Sequence, residues 1–577
     1  MLLQLLSGFY FVIKRPLQFI TIVFLLFFTL TLRAGIPENV QKILDERSEV
    51  YFRFPLEQSL NELSLLLYID YFDKDSGYVY SYANEKGFRN FLELDIDYEL
   101  IIPPGLRYSK NSYNMLSSVD VENISSWDFY PTYEAYESMM QQFEDIFPDL
   151  FQYIEIETLP SGRKLIFGRI TANVNDPNER PKSMFTSTMH GNETTGFNIL
   201  LRLIHYLLNN YGTDDEITQL LDNLEIWICP VENPDGTYRY DNSTVSGATR
   251  TNLNGIDLNR NYPNPVQNPD DDFQLETLAM VSLLNEYDFV LSANIHGGIE
   301  LLNFPWDSWK SNQKLHADHD WWEFTMYEYV DTVRVNAPSN YMTGMGDGVT
   351  HGGDWYVVYG SRQDYANYYV NQREFTLEIS DDYTLPTAQL PAHWDYNYRS
   401  LINYMKQSLY GIHGKVTDII TGEPLRARIE LAGHDFDNSW VFSSEEHGRF
   451  SRPVLAGTYD LEVHAPDYPE KTISGVSVEN YSTVFLDIEL GTEVSVVDHE
   501  LADKPLFYPN PVSEMFYLNN ITEIQKIQIL DIGGRIIAEY TDASESDVVD
   551  VSSLSSGTYL LRIFTSDKII NQKLLKK

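Results

Sequence analysis

The 577-residue chain has a single cysteine, Cys229. Disulfides, cysteine-ligated zinc and iron–sulfur clusters are therefore excluded, and any bound metal must rely on histidines and carboxylates. Basic residues are also scarce: 41 Lys and Arg stand against 84 Asp and Glu, a net charge of −43. Nucleic-acid binding needs a surplus of Lys and Arg along one face, which this balance does not provide. The negative field favours cationic substrates instead. No internal repeat and no low-complexity tract is present, and 40 Tyr and 30 Phe argue against disorder. The uncharged run 19–32, behind Lys14 and Arg15, is shorter than the ~20 residues of a spanning helix. With Arg33-Ala34-Gly35 as a small-residue exit, residues 1–35 read as a signal peptide, and no stable membrane span is expected.

Hydrophobic residues make up 43% and charged residues 22%, as in an ordinary folding chain. At roughly 100–200 residues per domain the length allows about three to five domains. Residues 36–104 alternate strand-like and helix-like runs: strands at 49–54, 79–82 and 98–102, helices at 60–67 and 88–94. That pattern predicts a small α+β module, which with the polar linker 107–126 takes the first part to residue 125. Residues 126–410 are α/β by pattern, with short apolar runs typical of buried strands at 165–170, 184–189, 225–229, 289–295 and 375–379. Phe197, Leu200, Leu201, Ile204, Leu207 and Leu208 follow the helical period between them. Residues 411–492 change to turn-punctuated strands, as in a small β-sandwich. A linker at 493–505 and a second all-β segment at 506–577 complete the chain.

The chemistry lies in the α/β part. Met189-His190-Gly191-Asn192-Glu193 ends a strand and opens a helix, and a helical first turn would set His190 beside Glu193. His296 ends another apolar strand and is followed by Gly297-Gly298. Strand ends on one edge of an α/β sheet converge on the functional crevice. Three nitrogen and oxygen ligands leave a fourth position open, the pattern of a catalytic rather than a structural zinc. Glu378 sits inside the apolar strand Phe375-Thr376-Leu377-Glu378-Ile379, where a carboxylate is costly to bury. A general base beside a metal site accounts for it. Asn259 and Arg260, in Asp257-Leu258-Asn259-Arg260-Asn261, form a pair able to hold a carboxylate, and Arg250 precedes them.

Taken in order, His190-Gly191-Asn192-Glu193, Asn233-Pro234-Asp235-Gly236, Asp257-Leu258-Asn259-Arg260-Asn261, His296-Gly297-Gly298 and Thr376-Leu377-Glu378 resemble the motif set of the zinc metallocarboxypeptidases. The likeness is greater to their regulatory branch, that of carboxypeptidases E, N, D and M, in which a transthyretin-like β-sandwich follows the catalytic domain. The resemblance implies a mixed-sheet α/β catalytic domain, flanked by the N-terminal α+β module and two C-terminal all-β domains. It implies one zinc per catalytic domain, bound by His190, Glu193 and His296. Glu378 becomes the base toward water and then the acid toward the leaving amine, and Arg250 the donor to the oxyanion. Asn259 and Arg260 grip the C-terminal carboxylate of a peptide or protein substrate, and Tyr356 is the mobile tyrosine that closes over it. Asp307 and Gln363 line the pocket for the terminal side chain, so Lys or Arg is released. The readings that compete with this are a cell-wall peptide amidase on the same fold and a non-catalytic surface peptide-binding protein.

Residues 36–104 resemble the propiece of the digestive branch, a module the regulatory branch usually lacks. No proposed catalytic residue precedes His190, so the module is expected to be dispensable for the chemistry. Tyr508-Pro509-Asn510-Pro511, Ile527 to Gly534, Leu554 to Leu561 and the ending Lys573-Leu574-Leu575-Lys576-Lys577 resemble a type IX secretion sorting domain. That implies the type IX machinery as a partner and a secreted or cell-surface location. His205, His316, His319 and His351 are expected to be structural or solvated, and Cys229 an inert core residue.

Overall fold

The computed structural model describes residues 35–175, 180–491, 507–518, 524–531, 533–541, 548–565 and 569–577. Residues 1–34 of the expected signal peptide 1–35 and the expected linker 493–505 lie outside them. Two compact units divide the chain, residues 1–490 and 491–577.

The first unit opens with the α+β module. Its strands are β1 (Val50–Pro55), β2 (Tyr68–Asp73), β3 (Tyr78–Ala83) and β4 (Glu99–Leu100), in the sheet order β2-β3-β1-β4. Helices Leu60–Leu63 and Glu85–Leu92 connect them as in a split β-α-β. The helix expected at 60–67 stops at Leu63, and β2 follows where none was expected. A bulge between Ile69 and Tyr71 breaks the alternation of β2, so that Ile69 and Phe72 both turn to the module core. That core is largely aromatic, with Phe52 against Phe88 and Phe91.

The segment expected to be a linker is packed down. Its strand β5 (Met115–Leu116) pairs in parallel with β6 (Tyr130–Pro131), and Tyr113, Val119 and Val121 are buried in the main core. The apolar residues interleaved with its polar ones anchor it.

The α/β region holds an eight-stranded mixed sheet in the order β13-β12-β14-β11-β9-β10-β8-β7. The strands are β7 (Phe151–Thr158), β8 (Lys164–Ile170), β9 (Lys182–Ser187), β10 (Glu225–Cys229), β11 (Phe289–His296), β12 (Ile299–Phe304), β13 (Val349–His351) and β14 (Arg373–Ser380). Strands β10, β9, β11 and β14 run parallel at the centre. All residues of β10 and β14 are buried, as expected of strands covered on both faces. Helices Thr195–Asn210 and Leu390–Gln407 contribute to that cover. The first buries the periodic set Phe197, Leu200, Leu201, Ile204, Leu207 and Leu208.

A β-sandwich follows. It comprises β15 (Gly411–Asp418), β16 (Arg428–Leu431), β17 (Val441–Phe442), β18 (Arg449–Arg452), β19 (Gly457–His464), β20 (Lys471–Val478) and β21 (Thr483–Leu490). Sheets β18-β15-β21 and β17-β16-β19-β20 enclose Ile412, Val416, Ile429, Leu461, Val463 and Ile488. The sandwich is locked to the α/β region by buried ions. Asp318 accepts from Arg373 at the head of β14 (2.6 and 2.9 Å) and from Arg452 in β18 (2.8 and 3.0 Å). Arg452 also bonds Asp435. The carboxylate pair is neutralised by the two arginines, although with His434 it has the composition of a metal site.

The second unit is all-β as well. Its strands are β22 (Phe507–Tyr508), β23 (Met515–Leu518), β24 (Ile524–Leu530), β25 (Ile536–Tyr540), β26 (Val548–Asp550), β27 (Gly557–Thr565) and β28 (Ile569–Lys576). They form sheets β22-β23-β26 and β25-β24-β27-β28 around Phe516, Ile527, Ile529, Leu561, Ile563 and Leu574. Among the described residues no helix is long and apolar enough to cross a membrane.

Candidate active site

The adjacent parallel strands β9, β11 and β14 end on the same edge of the sheet, and the polar groups gather there. His296 is the last residue of β11 and lies level with Glu378 in β14. His190 and Glu193 come from the loop between β9 and the helix that begins at Thr195. They are set together by a tight turn, in which Glu193 N–H donates to His190 C=O (3.0 Å), and not by a helical first turn as expected.

His190 Nδ1 is 2.9 Å from Glu193 Oε1, and His296 Nδ1 is 2.7 Å from Glu193 Oε2. The two Nδ1 atoms are 3.0 Å apart. All three residues are almost fully buried. His190 Nε2 donates to Asp257 Oδ1 (2.9 Å), which fixes the tautomer and leaves Nδ1 with a lone pair. Two imidazole nitrogens and a carboxylate thus converge on one point, a donor set that a divalent cation satisfies and that protons alone satisfy poorly. The residues fit a zinc ion. Burial lowers the pKa of His296 to about 4, keeping it neutral. Burial opposes ionisation of Glu193, but the two histidines overcome it and hold the carboxyl well below its usual range.

Arg250 is buried beside this group. Its Nε donates to Asp257 Oδ2 (2.9 Å) and its Nη1 to Glu193 Oε1 (3.2 Å). Asp257 therefore orients a histidine and the arginine together. It lies within a motif quoted above, yet its part in the site was missed: nothing local separates it from the many other carboxylates of this chain. Glu378 borders the same space. Burial, then the charge of Glu193, raises its pKa well above the ordinary value, with Arg250 acting the other way.

These residues line one cavity of about 350 Å³, together with Asn259, Arg260, Tyr356 and Asp307. Asn259 Oδ1 accepts the Arg362 N–H (3.1 Å), and Arg260 reaches the Tyr356 hydroxyl at 3.5 Å. Asp307 Oδ1 accepts from Gln363 Nε2 (3.0 Å). Gln363, expected on the pocket wall, instead stands behind Asp307, because the first turn of helix Arg362–Tyr369 directs its amide to that carboxylate. The space beside Asp307 depends on Gly352: a Cβ there would stand 2.0 Å from Asp307 Oδ1. Burial and the neighbouring Asp364 raise the pKa of Asp307 to about 8.

Three residues of the N-terminal module, Asp70, Tyr71 and Phe72 of β2, also line the cavity. Their place was not legible in the sequence, because more than a hundred residues separate them from His190. His316 and His351, expected to be structural or solvated, are buried and structural. His316 packs on Trp306 and Trp322, and His351 Nε2 accepts the Trp306 N–H (3.1 Å). Cys229 is a buried core residue, as expected.

A buried two-histidine, one-carboxylate group at the carboxyl ends of parallel strands, with an arginine and a carboxylate beside it, has the composition and placement of a catalytic metal site. Residues 136–400 match the family model described as zinc carboxypeptidase, and residues 506–577 match that of a secretion system C-terminal sorting domain. Carboxypeptidase M of Mus musculus is 33% identical over 300 residues, which cover 50% of this chain and 67% of that protein. Carboxypeptidase D of Homo sapiens is 30% identical over 404 residues, covering 67% of this chain and 28% of that protein. Carboxypeptidase E of Caenorhabditis elegans is 28% identical over 405 residues, covering 62% and 84%. The chain belongs to the zinc carboxypeptidase family, with the likeness to the regulatory type expected from its motifs. It spans about 28% of the length of the carboxypeptidase D relatives.

Proposed function

We propose that the protein is an exported zinc carboxypeptidase that removes a C-terminal Lys or Arg from peptides or proteins. The observation that carries this reading is the meeting of His190, Glu193, His296, Glu378, Arg250, Asn259, Arg260 and Asp307 around one cavity. His190, Glu193 and His296 would hold one zinc ion, which would supply Lewis acidity toward a carbonyl and lower the pKa of water toward ~7.

The chain's own groups do the rest. Arg260 and the Asn259 amide hold the terminal carboxylate, which restricts cleavage to the last peptide bond. The Tyr356 hydroxyl, close to Arg260, closes on the same group. Glu378 takes the proton of the attacking water as the C–O bond forms. Arg250 donates to the developing oxyanion, a contribution of about 2.7–4 kcal/mol. Glu378 then passes the proton to the amine as the C–N bond breaks. Asp307, held by Gln363, receives the cationic side chain and leaves a carboxylate unpaired when the terminal residue is apolar.

In this reading residues 36–125 are a propiece-like module with its connection, 126–410 the catalytic domain, 411–492 a transthyretin-like sandwich and 506–577 the sorting domain. The match to a secretion sorting domain supports secretion or surface location, and passage by the type IX machinery.

The test is mass-spectrometric trimming of a peptide library by the purified chain, with and without a strong chelator. Loss of single C-terminal Lys and Arg residues, abolished by the chelator, is expected. Cleavage confined to cell-wall peptides, or binding without cleavage, overturns the reading.

A further inference from the structure

Arg47, Ser48 and Glu49 of the N-terminal module lie along residues 247–255, the loop that carries Arg250. Glu49 is 1% exposed. One of its oxygens accepts the Arg250 N–H (3.3 Å), and the other accepts the Thr251 N–H (3.0 Å) and hydroxyl (2.9 Å). Arg47 donates to the carbonyl oxygens of Gly247 (3.0 Å) and Ala248 (3.1 Å), and the Ser48 hydroxyl to that of Leu253 (3.0 Å). The fit is close as well as polar. A Cβ on Gly255 would stand 2.4 Å from Ser48 O, and one on Gly105 2.1 Å from Ala248 O. The module reaches the ligand loop too, where Asn192 donates to the Tyr82 hydroxyl (3.1 Å).

We infer that the N-terminal module is retained in the working enzyme as the support of the Arg250 loop, with Glu49 as the positioning residue. The inference rests on reading Arg250 as the oxyanion donor. Asp257 fixes the far end of the Arg250 side chain, and Glu49 fixes its backbone. Without the module, the Arg250 and Thr251 N–H groups lose this buried acceptor, and the height of the guanidinium over the cavity is no longer set. A misplacement of about 1 Å in such a group costs about 10²-fold in rate. The module also contributes part of the wall of the cavity of about 350 Å³. Its Asp70 pairs with Arg250 Nη1 at 3.8 Å, a second tie to the same residue.

In the full chain, Glu49→Gln is expected to lower kcat at least about 10-fold, with KM and zinc content little changed and partial recovery in Glu49→Asp. In an Arg250→Ala background the same change is expected to have no further effect. Unchanged kcat, or an equal loss in both backgrounds, overturns the inference. Full activity of Arg250→Ala alone overturns the oxyanion reading instead. Independently, a site-specific protease sequence placed at the exposed turn Lys110–Ser112 allows the module to be cut free. The cut chain is expected to stay associated and active, to lose activity when the module is stripped and to regain it when the module is returned. A rise in activity on stripping makes the module an inhibitor and overturns the inference.

Discussion

His190 gives its Nε2 proton to Asp257 at 2.9 Å, and so turns its Nδ1 lone pair toward Glu193 and His296. Because Asp257 also holds Arg250 Nε, one carboxylate orients both a proposed zinc ligand and the proposed oxyanion donor. Asp257→Asn is expected to reduce zinc affinity or activity by about 10–100-fold. Zinc competition against a chromogenic chelator and steady-state kinetics measure the two effects. If neither moves, Asp257 is not the orienting group.

Glu378 makes the cleanest separation of base from ligand. Glu378→Gln keeps the shape and removes the proton acceptor, so turnover is expected to fall by about 10²–10⁴-fold. Zinc content, read by atomic emission, is expected to stay at one per chain. Near-normal kcat in this variant moves the base elsewhere.

Asp307 predicts a pH-dependent preference. Its raised pKa, about 8, means that the carboxylate is completed only as the pH rises through that value. The ratio of kcat/KM for Arg-terminated over Leu-terminated peptides is therefore expected to climb between pH 7 and 9, whereas ionisations common to both substrates cancel. Asp307→Asn is expected to flatten the ratio and lower it. A ratio independent of pH in the parent chain removes Asp307 from the pocket.

The buried ions between β14 and the sandwich predict an acid limb of stability. Burial opposes ionisation of Asp318, but Arg452 and Arg373 overcome it and depress the carboxyl pKa. A depressed pKa contributes stability that is complete above the unfolded value of ~3.9 and is lost as the pH falls below it. Asp318→Asn leaves two buried arginines short of a partner and is expected to cost about 3–5 kcal/mol. Calorimetric midpoints of the two chains, compared from pH 7 down through the folded value of about 2, should approach one another at the acid end. Equal midpoints at neutral pH count against this account.

What could be read in the sequence follows the range of the interactions. The interior strands β8, β9, β10, β11 and β14 are continuous apolar runs and were visible locally. The edge strand β7 alternates faces and contains two glutamates, Glu155 and Glu157, and it was not. His190, Glu193, His296 and Glu378 stood out because polar residues interrupt or end apolar strands. Asp257 and Glu49 did not, because their meaning lies in partners supplied by distant segments. Glu49 reaches across about 200 residues to Arg250. The composition of the linker suggested a free tether, but a few buried aromatic and aliphatic residues were enough to pin it.

Gly352 gives the proposed selectivity an unexpected point of failure. A residue without a side chain reserves the volume that the Asp307 carboxylate occupies, and a single added methyl would intrude within 2.0 Å of it. Variants that change substrate choice need not alter any group that meets the substrate. In the proposed reading, Gly352→Ala is expected to displace the Asp307 carboxylate and to lower the preference for Lys and Arg termini without touching His190, Glu193, His296 or Glu378.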